Sequence, residues 1–107
     1  MTGSKNDIRE LTLTTADIAA GKFTDFISIN DTFTIRVVST GGAFTGTIRV
    51  QRRNNEDDAA VGTVKTFTAD TEEAGDGKVT RAMEYRIGAL AGDLTTIPGS
   101  LYIAVIK

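Results

Sequence analysis

The sequence predicts an all-β domain, an antiparallel β-sandwich of about 7–8 short strands with immunoglobulin-like or related topology. Apolar and polar residues alternate with a period of two along several short segments, which is typical of half-buried strands. Eleven glycines and one proline separate these segments at the spacing expected of a sandwich or barrel. No segment has the length of a helix that crosses over between parallel strands.

The chain of 107 residues suffices for one domain. Residues 1–7 are small and polar, and we expect them to form a flexible N-terminal arm, so that a single sandwich domain spans residues 8–107. Ile8–Leu13 is expected as the first strand. Residues 14–21 either hold one helical turn capped by Thr15 or form a plain loop, and both interpretations stay open.

Alternation is clearest between Phe33 and Arg53, on both sides of the pair Gly41-Gly42. The pattern predicts two antiparallel strands joined by a glycine loop, with one apolar face over the core. The apolar positions are Phe33, Ile35, Val37, Phe44, Ile48 and Val50.

The remaining strands are expected where apolar residues lie between turn residues. They are Phe23–Ile29, Val61–Thr68, Ala82–Ala89 and Ser100–Lys107. A bulge at Gly62 would bring Val64 and Phe67 into one pattern with Val61. Residues 69–78 form a charged loop that can begin with a short edge strand, and residues 88–99 form a long connection.

The last strand is apolar on both faces, which is unusual because the outer face of a small sandwich meets water. Leu101, Ile103 and Val105 point one way, and Tyr102, Ala104 and Ile106 point the other way. Either a loop or the arm covers the outer side, or this side faces a partner subunit.

Three polar residues, Arg49, Gln51 and Arg53, share the outer face of the central strand pair, and Arg36 is expected to join them from the neighbouring strand. Clustered arginines on a sheet can hold carboxylates of another protein. They can equally be a solvated face that pairs with nearby acidic side chains, each pair worth about 0–1 kcal/mol.

The composition disfavours several kinds of site. The chain has no cysteine, histidine or tryptophan, so it lacks thiol nucleophiles and the commonest general base and transition-metal ligand. The acidic clusters Glu56–Asp58 and Glu72, Glu73 and Asp76 could offer oxygen ligands to Ca²⁺ if their loops met, but solvated loops explain them as well. We assign no catalytic residue, cofactor or metal ligand.

The net charge of −2 disfavours a general nucleic-acid binder, which needs a basic face. No apolar run approaches the length that spans a bilayer. The N-terminus lacks the basic and apolar pattern of a signal peptide, so we expect synthesis and assembly in a cytoplasm.

Three segments carry a resemblance to known proteins: Gly42–Arg52, Thr63–Ala69 and Tyr85–Gly88. In these segments the chain resembles small β-sandwich virion proteins of tailed bacteriophages, of the capsid decoration or head–tail accessory type. The resemblance covers roughly residues 32–106, and Asn54–Asp58 departs from the family's usual turn. It implies a virion location, a major capsid or tail or neck protein as partner, and a homo-oligomer.

The sequence therefore predicts a non-enzymatic virion structural protein that binds a capsid or head–tail surface through strand and arm contacts. The expected contact residues are Tyr102, Ala104, Ile106, Arg49, Gln51 and Arg53. The alternative is a carbohydrate-binding or host-adhesion module, which would need exposed aromatic rings, and the chain offers only Tyr85 and Tyr102 beside five phenylalanines.

Overall fold

The computed structural model describes residues 8–54, 60–76 and 83–107, which form eleven strands and one 3-10 turn at Thr15–Asp17. The strands are β1 (Ile8–Leu13), β2 (Lys22–Phe23), β3 (Ile27–Ile29), β4 (Thr32–Thr40), β5 (Thr45–Gly46), β6 (Ile48–Arg53), β7 (Gly62–Phe67), β8 (Thr71–Asp76), β9 (Met83–Ala89), β10 (Leu94–Thr96) and β11 (Ser100–Ile106). Seven of them have six residues or more, in agreement with the predicted number of strands.

The strands form two main antiparallel sheets. The four-stranded sheet has the order β1-β11-β4-β8. In the five-stranded sheet β2 and β3 pair with the same edge of β9, followed by β6 and β7. A small third sheet pairs β5 with β10. The predicted all-β antiparallel sandwich is confirmed.

The strand order is that of a jelly roll. If β2 and β3 are counted as one interrupted strand and the short β5 and β10 are set aside, eight strands remain. The first pairs with the last, the second with the seventh, the third with the sixth and the fourth with the fifth. This is one long hairpin rolled into two sheets, as in eight-stranded jelly rolls. An immunoglobulin sandwich differs because its first strand pairs with its second.

The predicted hairpin between Phe33 and Arg53 is wrong, because β4 lies in the four-stranded sheet and β6 in the five-stranded sheet. Gly41 and Gly42 adopt φ angles of 80° and 133°, where glycine is favoured, and the chain then crosses to the other sheet. Phe44, only 5 % exposed, fills the core at this crossing. Alternation defines which face of a strand is buried but not which strand lies beside it.

Several local predictions also change. Residues 69–78, expected as a charged loop that can begin with a short edge strand, contain the six-residue edge strand β8, and the connection at residues 88–99 contains β10. The expected strand Phe23–Ile29 is interrupted, because Thr24 turns inward and its hydroxyl accepts a hydrogen bond from the backbone N–H of Ile87 at 3.2 Å. The helical turn is present, but its cap is Thr14 rather than Thr15. The bulge lies at Val64 rather than Gly62. Val50 of β6 pairs with Lys65 and the next residue, Gln51, pairs with Thr63, so Val64 is the extra residue.

The core lies between the two sheets and consists of their inward alternating residues. Its largest fully buried members are Tyr85, Leu13, Ile35, Ile48, Ile87, Leu101, Ile103, Val37, Val50 and Val105. Side-chain contacts join the two sheets at both edges. Lys65 of β7 forms an ion pair with Glu73 of β8, and Arg9 of β1 donates to the carbonyl of Phe26 at 3.2 Å.

Candidate interaction surfaces

The outer face of the four-stranded sheet, here the A face, consists of the outward side chains of β1, β11, β4 and β8. Strand β11 runs through its middle, between β1 and β4. The predicted contact residues Tyr102, Ala104 and Ile106 therefore lie together at the centre of one sheet face. Ile106 is opposite Ile8, and Tyr102 is opposite Val38.

Together with Ile8 and Val38, these three residues form an apolar stripe that crosses three strands of the A face diagonally. Ile8, Val38, Tyr102 and Ile106 are each partly exposed, whereas Ala104 is 0 % exposed. Ala104 thus offers no surface to a partner and serves as the floor of the stripe. The surface for contact comes from the four residues around it.

Polar side chains flank the stripe on both sides. The Tyr102 hydroxyl donates to the Glu10 carboxylate at 2.6 Å. Burial and this hydrogen bond raise the pKa of Tyr102 to about 12. The Cζ atom of Arg36 lies 5.9 Å from the centre of the Tyr102 ring. Its Nε is 3.0 Å from Glu72 Oε1, and this ion pair does not have the geometry of a hydrogen bond. The A face is therefore an apolar strip with a charged rim.

The outer face of the five-stranded sheet, here the B face, carries the other predicted residues. Arg49, Gln51 and Arg53 alternate along β6 and point outward, although Gln51 is 6 % exposed. Arg36 does not join them, contrary to prediction, because it belongs to the other sheet.

An ion pair at one end of the B face joins β6 to the loop before β10. Arg49 Nε and Nη2 donate to the Asp93 carboxylate at 2.6 and 3.2 Å, and the Leu90 N–H donates to it at 2.8 Å. The hydrogen bond from Arg49 is the main cause that lowers the pKa of Asp93, and it raises the pKa of Arg49 in turn. This pair fastens a loop and is not free to bind a ligand.

Elsewhere on the B face, arginine and phenylalanine side chains are stacked. Arg86 Cζ lies 4.2 Å from the centre of the Phe23 ring and 4.8 Å from that of Phe26. Arg53 Cζ lies 3.7 Å from the centre of the Phe26 ring, and Arg53 Nε donates to Glu84 at 2.7 Å. We call Phe23, Phe26, Arg53 and Arg86 the arginine stack.

Sequence reasoning missed Arg86 and the two phenylalanines. Alternation with Tyr85 and Ile87 does place Arg86 outward. Its position beside Gln51 depends on the pairing of β9 with β6, two strands that are distant in sequence. The pattern within one strand carries no signal for that pairing.

Neither tyrosine provides an open ring for stacking on a sugar. Tyr85 is 2 % exposed and packs against Phe33 in the core. Tyr102 is partly exposed but is tied to Glu10 and flanked by Arg36. A carbohydrate-binding module needs an open aromatic ring, and neither tyrosine supplies one.

The two acidic clusters do not form a described metal site. Residues 55–59, which include Glu56–Asp58, lie outside the described residues, as does the side chain of Asp76. Glu72 and Glu73 engage Arg36 and Lys65 respectively. Within residues 8–54, 60–76 and 83–107, no group of three acidic side chains is placed to hold a metal ion.

Depressions on the described surface are open to solvent. One, of about 590 Å³, lies between Ile8–Leu11 of β1 and residues 22–25 of the opposite sheet. Another, of about 490 Å³, lies beside Phe44 and Asp70.

In the part of the chain that the structure describes, no helix is long and apolar enough to cross a membrane.

No protein-family model matches this chain, and no curated protein sequence matches it significantly. The resemblance to phage virion proteins therefore stays a prediction that depends on the strand motifs between Gly42 and Gly88.

Proposed function

We propose that this chain is a non-enzymatic structural subunit of a bacteriophage virion, which binds the capsid surface or the head–tail region through its A face. The observation that carries the proposal is the apolar stripe of Ile8, Val38, Tyr102 and Ile106 on the outward side of a sheet. Partly exposed apolar side chains with polar side chains around them are common in protein interaction sites.

The location of the stripe suits attachment to a large surface. It crosses the A face over β1, β11 and β4, which are three neighbouring hydrogen-bonded strands. Such a surface needs little rearrangement on binding. Many copies on one particle would add modest individual contacts into strong attachment.

The assignment to a phage particle is supported by the strand motifs and agrees with the fold. Jelly rolls are found in viral capsid domains and also in lectins, so the fold alone assigns neither role. The lack of an open tyrosine ring favours the capsid role over the carbohydrate role. The proposed location is the virion, after assembly in the host cytoplasm.

The test is cosedimentation of the purified protein with particles of the encoding phage that were produced without this gene. We expect saturable binding at a fixed number of copies per capsid or per neck, and light scattering of the free protein gives its oligomeric state. A gene with no capsid, portal or tail genes beside it, together with no binding to particles, would contradict the proposal.

A further inference from the structure

The two arginines of the arginine stack carry more positive charge than the neighbouring carboxylate of Glu84 neutralises. Arg53 pairs with Glu84 at 2.7 Å. Arg86 forms no ion pair with any carboxylate of the described residues. Its Nε and one terminal nitrogen both donate to the neutral Oε1 of Gln51, at 3.0 and 2.8 Å. Among the described residues, one positive charge of the two arginines is therefore left uncompensated.

The two guanidinium groups are held in place by the rings. Arg86 contacts both Phe23 and Phe26, and Arg53 contacts the Phe26 ring as well. Each such contact is favourable, and its strength rises as water is removed. Because the groups are already ordered, an incoming anion loses little free energy to immobilising them.

The position of Arg86 has an electrostatic cost in the free protein. Burial lowers its pKa, and the positive charge of Arg53 lowers it further. An anion placed between the two arginines would offset both effects. The free protein therefore has a site at which negative charge is favoured.

We propose that Arg53 and Arg86 form a receptor for a carboxylate on an acidic segment of another protein in the assembly. The inference rests on the proposed function and gives the subunit a second, electrostatic contact on the B face. A carboxylate fits because its two oxygens match the donors of a guanidinium group. The charge complementarity selects an acidic polypeptide as occupant.

Other anionic polymers fit the B face less well. A sugar polymer would need open ring faces, but guanidinium groups already lie over Phe23 and Phe26. Affinity for a nucleic acid comes mainly from neutralising several phosphates with basic side chains. Only Arg49, Arg53 and Arg86 point outward on β6 and β9, and Arg49 is held by Asp93.

The test measures binding of a short, fluorescently labelled glutamate-rich peptide by anisotropy at low ionic strength. The full chain is expected to bind it and to prefer it over the matching glutamine peptide, with affinity that falls as salt is added. Arg86→Gln should weaken binding about tenfold. Arg36→Gln, the same change in a partly exposed arginine of the A face, should leave affinity unchanged.

A second variant gives a result of opposite sign. Glu84→Gln removes the carboxylate that pairs with Arg53 and should strengthen peptide binding severalfold, a gain that loss of structure cannot produce. If Arg86→Gln lowers the melting temperature strongly, its weaker binding no longer distinguishes a lost contact from lost structure, and the stronger binding of Glu84→Gln decides the test. Equal affinity of wild type, Arg86→Gln and Glu84→Gln would overturn the receptor.

Further outcomes test the receptor and the proposed function separately. Preference for a polyuronate or an oligonucleotide over the peptide, or self-association that depends on Arg86, would overturn the proposal of an acidic partner protein. Peptide binding without binding to particles would contradict the proposed function and leave the receptor standing. Particle binding that is insensitive to Arg86→Gln, with no peptide binding, would contradict the receptor alone.

Discussion

Gly88 of β9 lies directly opposite Phe23 of β2, and the Phe23 ring crosses the space that a side chain at Gly88 would occupy. A Cβ on Gly88 would come 2.7 Å from the ring, 2.6 Å from the Phe23 Cα and 2.2 Å from the carbonyl oxygen of Lys22. Because two of these atoms belong to the backbone, the strand pair would have to move. The arginine stack thus depends on the absence of a side chain at Gly88.

Gly88→Ala should lower the free energy of unfolding by about 1–3 kcal/mol, the usual cost of overpacking. The matched control is Gly62→Ala in the edge strand β7, where a Cβ would meet nothing within 4 Å. That variant should stay within about 0.5 kcal/mol of wild type. Urea denaturation measures both, and equal effects of the two variants would contradict this packing.

Tyr85→Phe should leave the free energy of unfolding unchanged or raise it slightly. The Tyr85 hydroxyl is buried and has no hydrogen-bond partner among the described residues. Removing an unsatisfied polar group relieves its desolvation cost, while the ring keeps its contact with Phe33 at 4.9 Å between centroids.

The control for the ring is Tyr85→Ala, which should cost about 3–5 kcal/mol. Both variants are compared by urea denaturation at neutral pH. A loss above about 1 kcal/mol in Tyr85→Phe would mean that the hydroxyl has a hydrogen-bond partner in the folded protein.

The contribution of Asp93 to stability should disappear in acid. Its pKa is lowered from the ordinary value of 3.8, mainly by the hydrogen bond from Arg49. A carboxyl group with a lowered folded pKa stabilises the fold above its unfolded pKa, and this stabilisation is lost as the pH falls through the folded pKa. Asp93→Asn should therefore be less stable than wild type at neutral pH, and the difference should shrink below about pH 4.

Melting temperatures across this pH range test the Asp93 prediction. Arg49→Gln should flatten the same part of the profile, because it removes the main cause of the shift. A constant difference between wild type and Asp93→Asn at all pH values would contradict it.

Tyr102 should titrate near pH 12 in the folded protein, since its pKa is raised by burial and by its hydrogen bond to Glu10. Its ordinary value is 10.0. A raised tyrosine pKa means that the neutral form stabilises the fold, and this contribution is lost as the pH rises from the ordinary value through the folded one.

Phenolate absorbance in a Tyr85→Phe background isolates Tyr102, because the chain has two tyrosines. Glu10→Gln should lower the midpoint by removing the carboxylate that accepts the hydroxyl hydrogen. A midpoint at the ordinary value in folded protein would show that the contact between Tyr102 and Glu10 is not formed.

Alternation in the sequence was sufficient to predict most of the core. Ile35, Val37, Ile48 and Val50 were all expected to point inward, and each is at most 1 % exposed. The partners of the strands were not predictable in the same way. A glycine pair such as Gly41-Gly42 permits either a hairpin or a crossing between sheets, and the long-range packing decides between them.

The candidate surfaces show the same limit. Tyr102 and Ile106 were correctly placed on one outward face by their spacing, because a strand has a period of two. The arginine stack was not predicted, since Phe23, Arg53 and Arg86 come from three strands that meet only when the long hairpin rolls up. Residues that gather across strands are invisible to a pattern within one strand.

Docking through the A face is tested by comparing Ile106→Asp with Val64→Asp in binding to particles that lack this protein. Ile106 lies in the apolar stripe of the A face, whereas Val64 is 46 % exposed at the bulge of β7 in the other sheet. Circular dichroism and melting temperature confirm that each variant is folded. If the A face is the docking surface, Ile106→Asp stays folded and loses cosedimentation while Val64→Asp binds as wild type does; undiminished binding by folded Ile106→Asp would contradict it.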